Sequence, residues 1–244
     1  MNLKSNPFLR KSMQATSFQA EPMTKAGTWS KIFALLLLVT AAAGATWTIV
    51  PSFGGGVLLV TMIGSLILGL ILALVITFKP NTAPVVAPLY GIVEGVFVGS
   101  ISYFFEAMAP GIVGRAVLTT FIVAFAMWFV YSTGLVKVTQ KFRAGVTAAI
   151  FTVLLLYLVQ LVMGFFGTGL PFMTGSSPLA IGVQFVIVII ASLALVLDFD
   201  YIAQQVEARA PKTLEWVAAF GLIVTLVWLY IELLDLLYRL AMRD

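Results

Sequence analysis

Seven apolar runs, each close to the roughly 20 residues needed to span the hydrocarbon of a bilayer, leave this chain little choice of architecture. They cover residues 31–50, 57–78, 85–105, 113–135, 145–166, 178–197 and 215–237. Hydrophobic residues make up 61% of the chain and charged residues only 10%, where a soluble domain carries about 25% charged residues. The expected fold is an all-α membrane protein, a seven-transmembrane-helix bundle over residues 31–240. Breakers separate the runs: Pro51 with Gly54-Gly55-Gly56, Lys79-Pro80-Asn81, and Gly167 through Ser177. Ser177 before Pro178 is a helix start, a capping hydroxyl followed by proline in the first turn.

Residues 1–30 are polar and mixed and are read as a disordered cytoplasmic N-terminal tail. The first run is longer than a signal-peptide core, and no compact basic stretch precedes it, so it is read as a span. Charge sets the orientation. With the N-terminus cytoplasmic, the inner segments hold 11 basic residues: Lys4, Arg10, Lys11, Lys25, Lys31, Lys79, Lys137, Lys141, Arg143, Arg209 and Lys212. The outer segments hold 3: Arg115, Arg239 and Arg243. That asymmetry is the positive-inside pattern, and seven spans then put the C-terminus outside.

Composition also removes functions. With no cysteine and no histidine, disulfides, thiol nucleophiles, His-based zinc sites and a serine–histidine dyad are excluded. No Gly-x-Gly-Asp run of an intramembrane aspartyl protease occurs, and no lysine lies within a span beyond Lys31 at the start of the first. The chain is expected not to be an enzyme and to use no cofactor. No nucleic-acid signature is present. The partners to expect are the lipid bilayer and cations or protons, and no metal site is assigned from the sequence.

Four carboxylates stand within or at the ends of the runs: Glu94, Asp198, Glu232 and Asp235. An ionisable group in hydrocarbon costs about 2.5–3.5 kcal/mol even on lenient insertion scales, and such groups commonly line ion or proton paths. In the third run Gly91, Gly95 and Gly99 stack on one helix face, where another backbone can approach closely. Glu94 borders that face and is expected to point into the bundle. In the sixth run Gln184, Val188, Ala191, Leu195 and Asp198 share a face, with Asp198 and Asp200 at the expected cytoplasmic helix end. In the seventh, Gly221, Thr225, Trp228, Glu232, Asp235 and Arg239 form one polar stripe, and Asp235 and Arg239 are spaced to pair. Glu232 has two readings: a hydrogen bond to a Tyr or Trp at the outer interface, or an additional acid of the site. Tyr157, Gln160 and Gly164 share a face of the fifth run.

At these motifs the chain resembles the Bax inhibitor-1 family, also called the transmembrane Bax inhibitor motif family, in its bacterial branch. The resemblance rests on Glu94-Gly95 with Gly99-Ser100, on Leu197-Asp198-Phe199-Asp200-Tyr201-Ile202, and on Glu215-Trp216, Ala219-Phe220-Gly221-Leu222 and Leu229-Tyr230. It implies seven helices with the seventh near the centre. Some members are pH-sensitive calcium leaks whose sensor is a pair of aspartates, one ending the sixth helix and one in the middle of the seventh. Asp198 matches the first. The second falls at Thr225, so half of the pair is missing, and Glu232 lies two turns, about 10 Å, from that position. Asp200 is the nearer candidate partner for Asp198.

The expected function is a proton-sensitive cation leak, with calcium bound transiently and Glu94, Asp198 and Asp200 as the sensing acids. The alternative is a non-transporting regulator that binds a membrane protein, such as a quality-control protease or a stress-response partner. The expected location is the bacterial plasma (inner) membrane.

Overall fold

The computed structural model describes residues 21–243; residues 1–20 and Asp244 lie outside it. Seven helices follow one another: α1 (Lys25–Ile49), α2 (Gly55–Phe78), α3 (Ala83–Met108), α4 (Ile112–Ser132), α5 (Gln140–Phe165), α6 (Pro178–Glu207) and α7 (Leu214–Ala241). All seven are long and apolar enough to cross a membrane, and no β-strand is formed among the described residues. Many large apolar side chains on α2, α4 and α5 face outward, Leu70, Phe125 and Leu155 among them. A surface of that kind is stable only against lipid, so this is a multi-pass membrane protein.

The seventh helix is the hub. It packs on α1, α3, α4 and α6 and is hydrogen-bonded to α5 through Tyr157. Its Ile223, Leu229 and Leu234 are at most 1% exposed. The second helix lies at the edge, packed chiefly on α3, and α5 packs chiefly on α6.

The glycine spacing of α3 has the consequence expected of it. Gly91, Gly95 and Gly99 lie against α1. A Cβ at Gly95 would stand 2.4 Å from the Val39 carbonyl oxygen, and one at Gly99 would stand 2.5 Å from that of Ala43. Only glycine admits this backbone approach.

Two boundaries differ from the sequence reading. The first helix begins at Lys25, not at residue 31. Most of the expected tail (residues 1–30) falls outside the described residues, but Lys25–Ser30 are helical. The cause is a cap and a clamp. The Thr24 hydroxyl accepts from the Gly27 N–H at 3.0 Å. Upstream, Met23 N–H donates to the Ala210 carbonyl at 2.7 Å and Lys212 N–H to that of Glu21 at 2.8 Å. Glu21 also pairs with the Lys212 ammonium. That hydrogen bond and charge hold the Glu21 carboxyl below its ordinary pKa and raise that of Lys212. Residues 21–24 are thereby strapped to the α6–α7 turn.

The other boundary is the end of α6, which runs on to Glu207. Asp198 is therefore more than two turns inside the helix, and Asp200 close to two turns. They lie outside the last turn, where the macrodipole acts.

The α1–α3 contact predicts a contrast between two glycines. Gly95→Ala should lower stability by about 1–3 kcal/mol, the usual cost of forcing an extra methyl into a packed interface. Gly64→Ala, where nothing lies within 4 Å, should be neutral or stabilising, because alanine is the better helix former. Thermal unfolding of the two variants in detergent micelles checks this.

Candidate functional site

Asp198 projects from α6 towards α7 where that helix carries Gly221 and Thr225. Its Oδ1 lies 4.0 Å from the place a Cβ on Gly221 would take, and Thr225 is the polar side chain alongside it. The Thr225 hydroxyl lies 3.2 Å from the Gly221 carbonyl, to which it can donate, and it is also the donor side chain placed to reach the Asp198 carboxyl. Oδ2 of Asp198 is buried and has no hydrogen-bond partner, the only such side-chain atom among the described residues. Buried polar atoms are nearly always paired, and each exception calls for a reason such as a bound ion or a functional role.

The position expected to hold a second aspartate, Thr225, thus does lie opposite Asp198. The alternative partner does not. Asp200 Oδ2 accepts from Arg143 Nη2 of α5 at 2.5 Å and from Gln204 Nε2 of its own helix at 2.7 Å.

Glu232 is the opposite of Asp198. It is 4% exposed and fully partnered. Its Oε1 accepts from the Tyr157 hydroxyl and from Trp228 Nε1, each at 2.6 Å, and its Oε2 accepts from Gln184 Nε2 at 2.7 Å. The Gln184 amide also donates to the Glu232 carbonyl at 3.0 Å. Three helices, α5, α6 and α7, are stitched at this one carboxyl. Of the two readings of Glu232, the hydrogen bond to Tyr and Trp is the one formed, inside the bundle.

The remaining acids separate as well. Glu94 is half-buried and lies in the α2–α3 interface, with Oε2 3.3 Å from the position of a Cβ on Gly69 and Tyr90 beside it. It points between helices, towards the edge helix α2, because the glycine face next to it is occupied by α1. Glu94 and Asp198 therefore occupy different helix interfaces. Asp235 pairs with Arg239 at 2.7 Å, as their spacing indicates, and Arg239 also holds the Met173 and Gly175 carbonyls at 2.8 and 2.9 Å. That tethers the α5–α6 loop to the end of α7. No group of three or more His, Cys, Asp or Glu side chains forms a metal cage among the described residues.

One buried acid has no counterpart in the sequence reading of the sites. Glu215 is 0% exposed. It accepts from Thr24 N–H at 2.9 Å and from the Thr24 hydroxyl at 3.1 Å, and it pairs with Lys31. A Cβ on Gly27 would collide with its carboxylate. The signal was weak because Lys31 stands 184 residues away.

A seven-helix bundle hung on a central helix, with ionisable groups held between its spans, defines the class: a multi-pass helical membrane protein. The family follows from sequence comparison. The family described as Bax inhibitor 1 like matches residues 6–242, nearly the whole chain, and the protein belongs to it. No curated protein and no solved structure matches the chain.

The Glu232 cluster predicts a graded loss of stability. Glu232→Leu leaves three buried donors without an acceptor, each costing about 1–3 kcal/mol, so a loss of at least about 3 kcal/mol is expected. Glu232→Gln keeps an acceptor for Tyr157 and Trp228 and should cost about 1–2 kcal/mol. Thermal unfolding of both variants in detergent reads the difference.

Proposed function

We propose that this protein is a proton-sensitive cation leak, with calcium as the favoured ion and Asp198 as the sensing group. The observation that supports this best is the buried, unpartnered Oδ2 of Asp198, at the place where pH-sensitive calcium leaks of this family carry their sensor. Calcium takes 6–8 oxygen ligands. A single carboxylate with nearby carbonyls binds it briefly, which suits passage better than storage. Gain or loss of a proton on Asp198 changes the charge between α6 and α7 beside Gly221, where the missing side chain leaves room for the two helices to shift. That is how a local charge event biases a two-state element. Glu94, in the α2–α3 interface, is a second acid that a permeating cation meets. Glu232 and Asp200 serve as structural acids.

The excess of basic residues on the segments between α2 and α3, α4 and α5, and α6 and α7 supports a cytoplasmic position for these and for the N-terminus. The C-terminus then lies outside, in a bacterial inner membrane. No catalytic activity and no resident cofactor belong to this reading.

Thr225 favours a second reading. Without an acid opposite Asp198, the family's sensor pair is incomplete, and the chain then acts as a non-transporting regulator that binds a membrane-protein partner.

Reconstitution in liposomes with a calcium dye separates the two. A leak gives flux that varies from about pH 5 to pH 8, a range in which buried carboxyls titrate. Asp198→Asn should remove the pH dependence and Glu94→Gln should change the rate alone. Absence of flux throughout that range would falsify the leak. Removal of residues 1–20, which spares the Thr24–Glu215 clamp, should leave a leak unchanged and abolish capture of a partner bound through the tail.

A further inference from the structure

Arg143 lies at the mouth of an open cleft between α5 and α6, with a volume of about 800 Å³. We propose that this cleft is a binding site for an anionic phospholipid, with the headgroup phosphate at Arg143 and an acyl chain along α5.

The lining is graded as an amphiphile requires. Gln140, Arg143 and Gln204 stand at the polar end, and Ala144, Ala148 and Phe151 continue down the helix. From Gln140 to Phe151 the groove follows α5 for about 16 Å, from the helix start into the span. Phe151 is 60% exposed, so the lower part opens sideways onto hydrocarbon.

Charge at the upper end matches a phosphate. Arg143 uses Nη2 for Asp200, and its Nε and Nη1 have no hydrogen-bond partner among the described residues. A guanidinium carries five N–H donors and grips phosphate with two of them in parallel. Lys137 and Lys141, both exposed, are next in sequence to the lining residues Val138 and Gln140. Asp200 pairs with Arg143 and also accepts from Gln204, so its charge is compensated within the protein. No acidic residue occurs anywhere from Ala107 to Leu197, so α4, the α4–α5 connection and α5 are purely basic in their charge. Basic pockets between membrane helices are known to hold anionic headgroups. The packing of α5 agrees: it lies at the edge of the bundle, chiefly against α6, which leaves this flank open to a lipid.

The experiment is lipid binding to the detergent-solubilised full chain by native mass spectrometry, with phosphatidylglycerol, phosphatidylcholine and inorganic phosphate as probes. Phosphatidylglycerol should bind and phosphatidylcholine should bind more weakly. Arg143→Gln should weaken phosphatidylglycerol about fivefold, the weight of one basic side chain at an anionic lipid surface. Ala148→Phe fills the apolar end at an exposed position and leaves every charge in place; it should weaken binding as well. Arg115→Gln, on the exposed start of α4, should bind as the parent does. Equal binding of the two lipids, displacement of phosphatidylglycerol by inorganic phosphate, or parental binding by both the Arg143 and Ala148 variants would each overturn the assignment.

Discussion

Hydrocarbon offers no hydrogen bonds, so the polar side chains that α7 carries into the membrane need partners within the protein. The positions of those partners account for much of the bundle. Glu215 at the start of α7 takes Lys31 and Thr24 from the α1 end. Tyr230 takes Ser102 of α3 at 2.6 Å. Glu232 takes Tyr157 of α5 and Gln184 of α6. Arg239 takes the loop between α5 and α6. A helix stitched at four levels to its surroundings has little freedom to be anywhere except near the centre. Close packing, tightest where Gly95 and Gly99 of α3 meet the α1 backbone, joins the helices between these ties.

Asp198 is the exception to this pattern, and its neighbours show why it can be tolerated. It faces Gly221 and Thr225, and its Oδ2 meets no donor. The three donors on Glu232 make that acid a fixture of the fold, whereas the orphan oxygen of Asp198 remains free to accept a proton or a cation. Charge placement alone ranks the two equally. The hydrogen bonds around them separate a fully partnered acid from one with an unpartnered oxygen.

Much of this was legible in the chain. Seven runs of spanning length specify the helices. The four-residue spacing of Gly91, Gly95 and Gly99 announces a close backbone contact, and the Asp235–Arg239 pair is local. The stripe from Gly221 to Arg239 marks α7 as a helix with polar business inside the bundle. What the sequence hides is non-local or depends on a neighbour. Lys31 and Glu215 meet only because α1 and α7 pack together. Asp198-Phe199-Asp200 reads as the polar end of a span, yet α6 continues to Glu207, with Asp200 paired to Arg143 on α5. Glu94 borders a glycine face, which says that a helix is near but not that α1 takes that face and leaves the acid to α2. Gln184 and Tyr157 sit on the expected faces, but nothing in their spacing says that they converge on Glu232.

The division between a committed and an uncommitted acid is the central claim, and it can be tested without any transport assay. Infrared difference spectroscopy of the reconstituted protein, recorded while pH is changed, detects carboxyl groups that gain or lose a proton. The account predicts a pH-responsive carboxyl band that Asp198→Asn removes and Glu232→Gln leaves in place. A band that survives in Asp198→Asn and is lost in Glu232→Gln would contradict it.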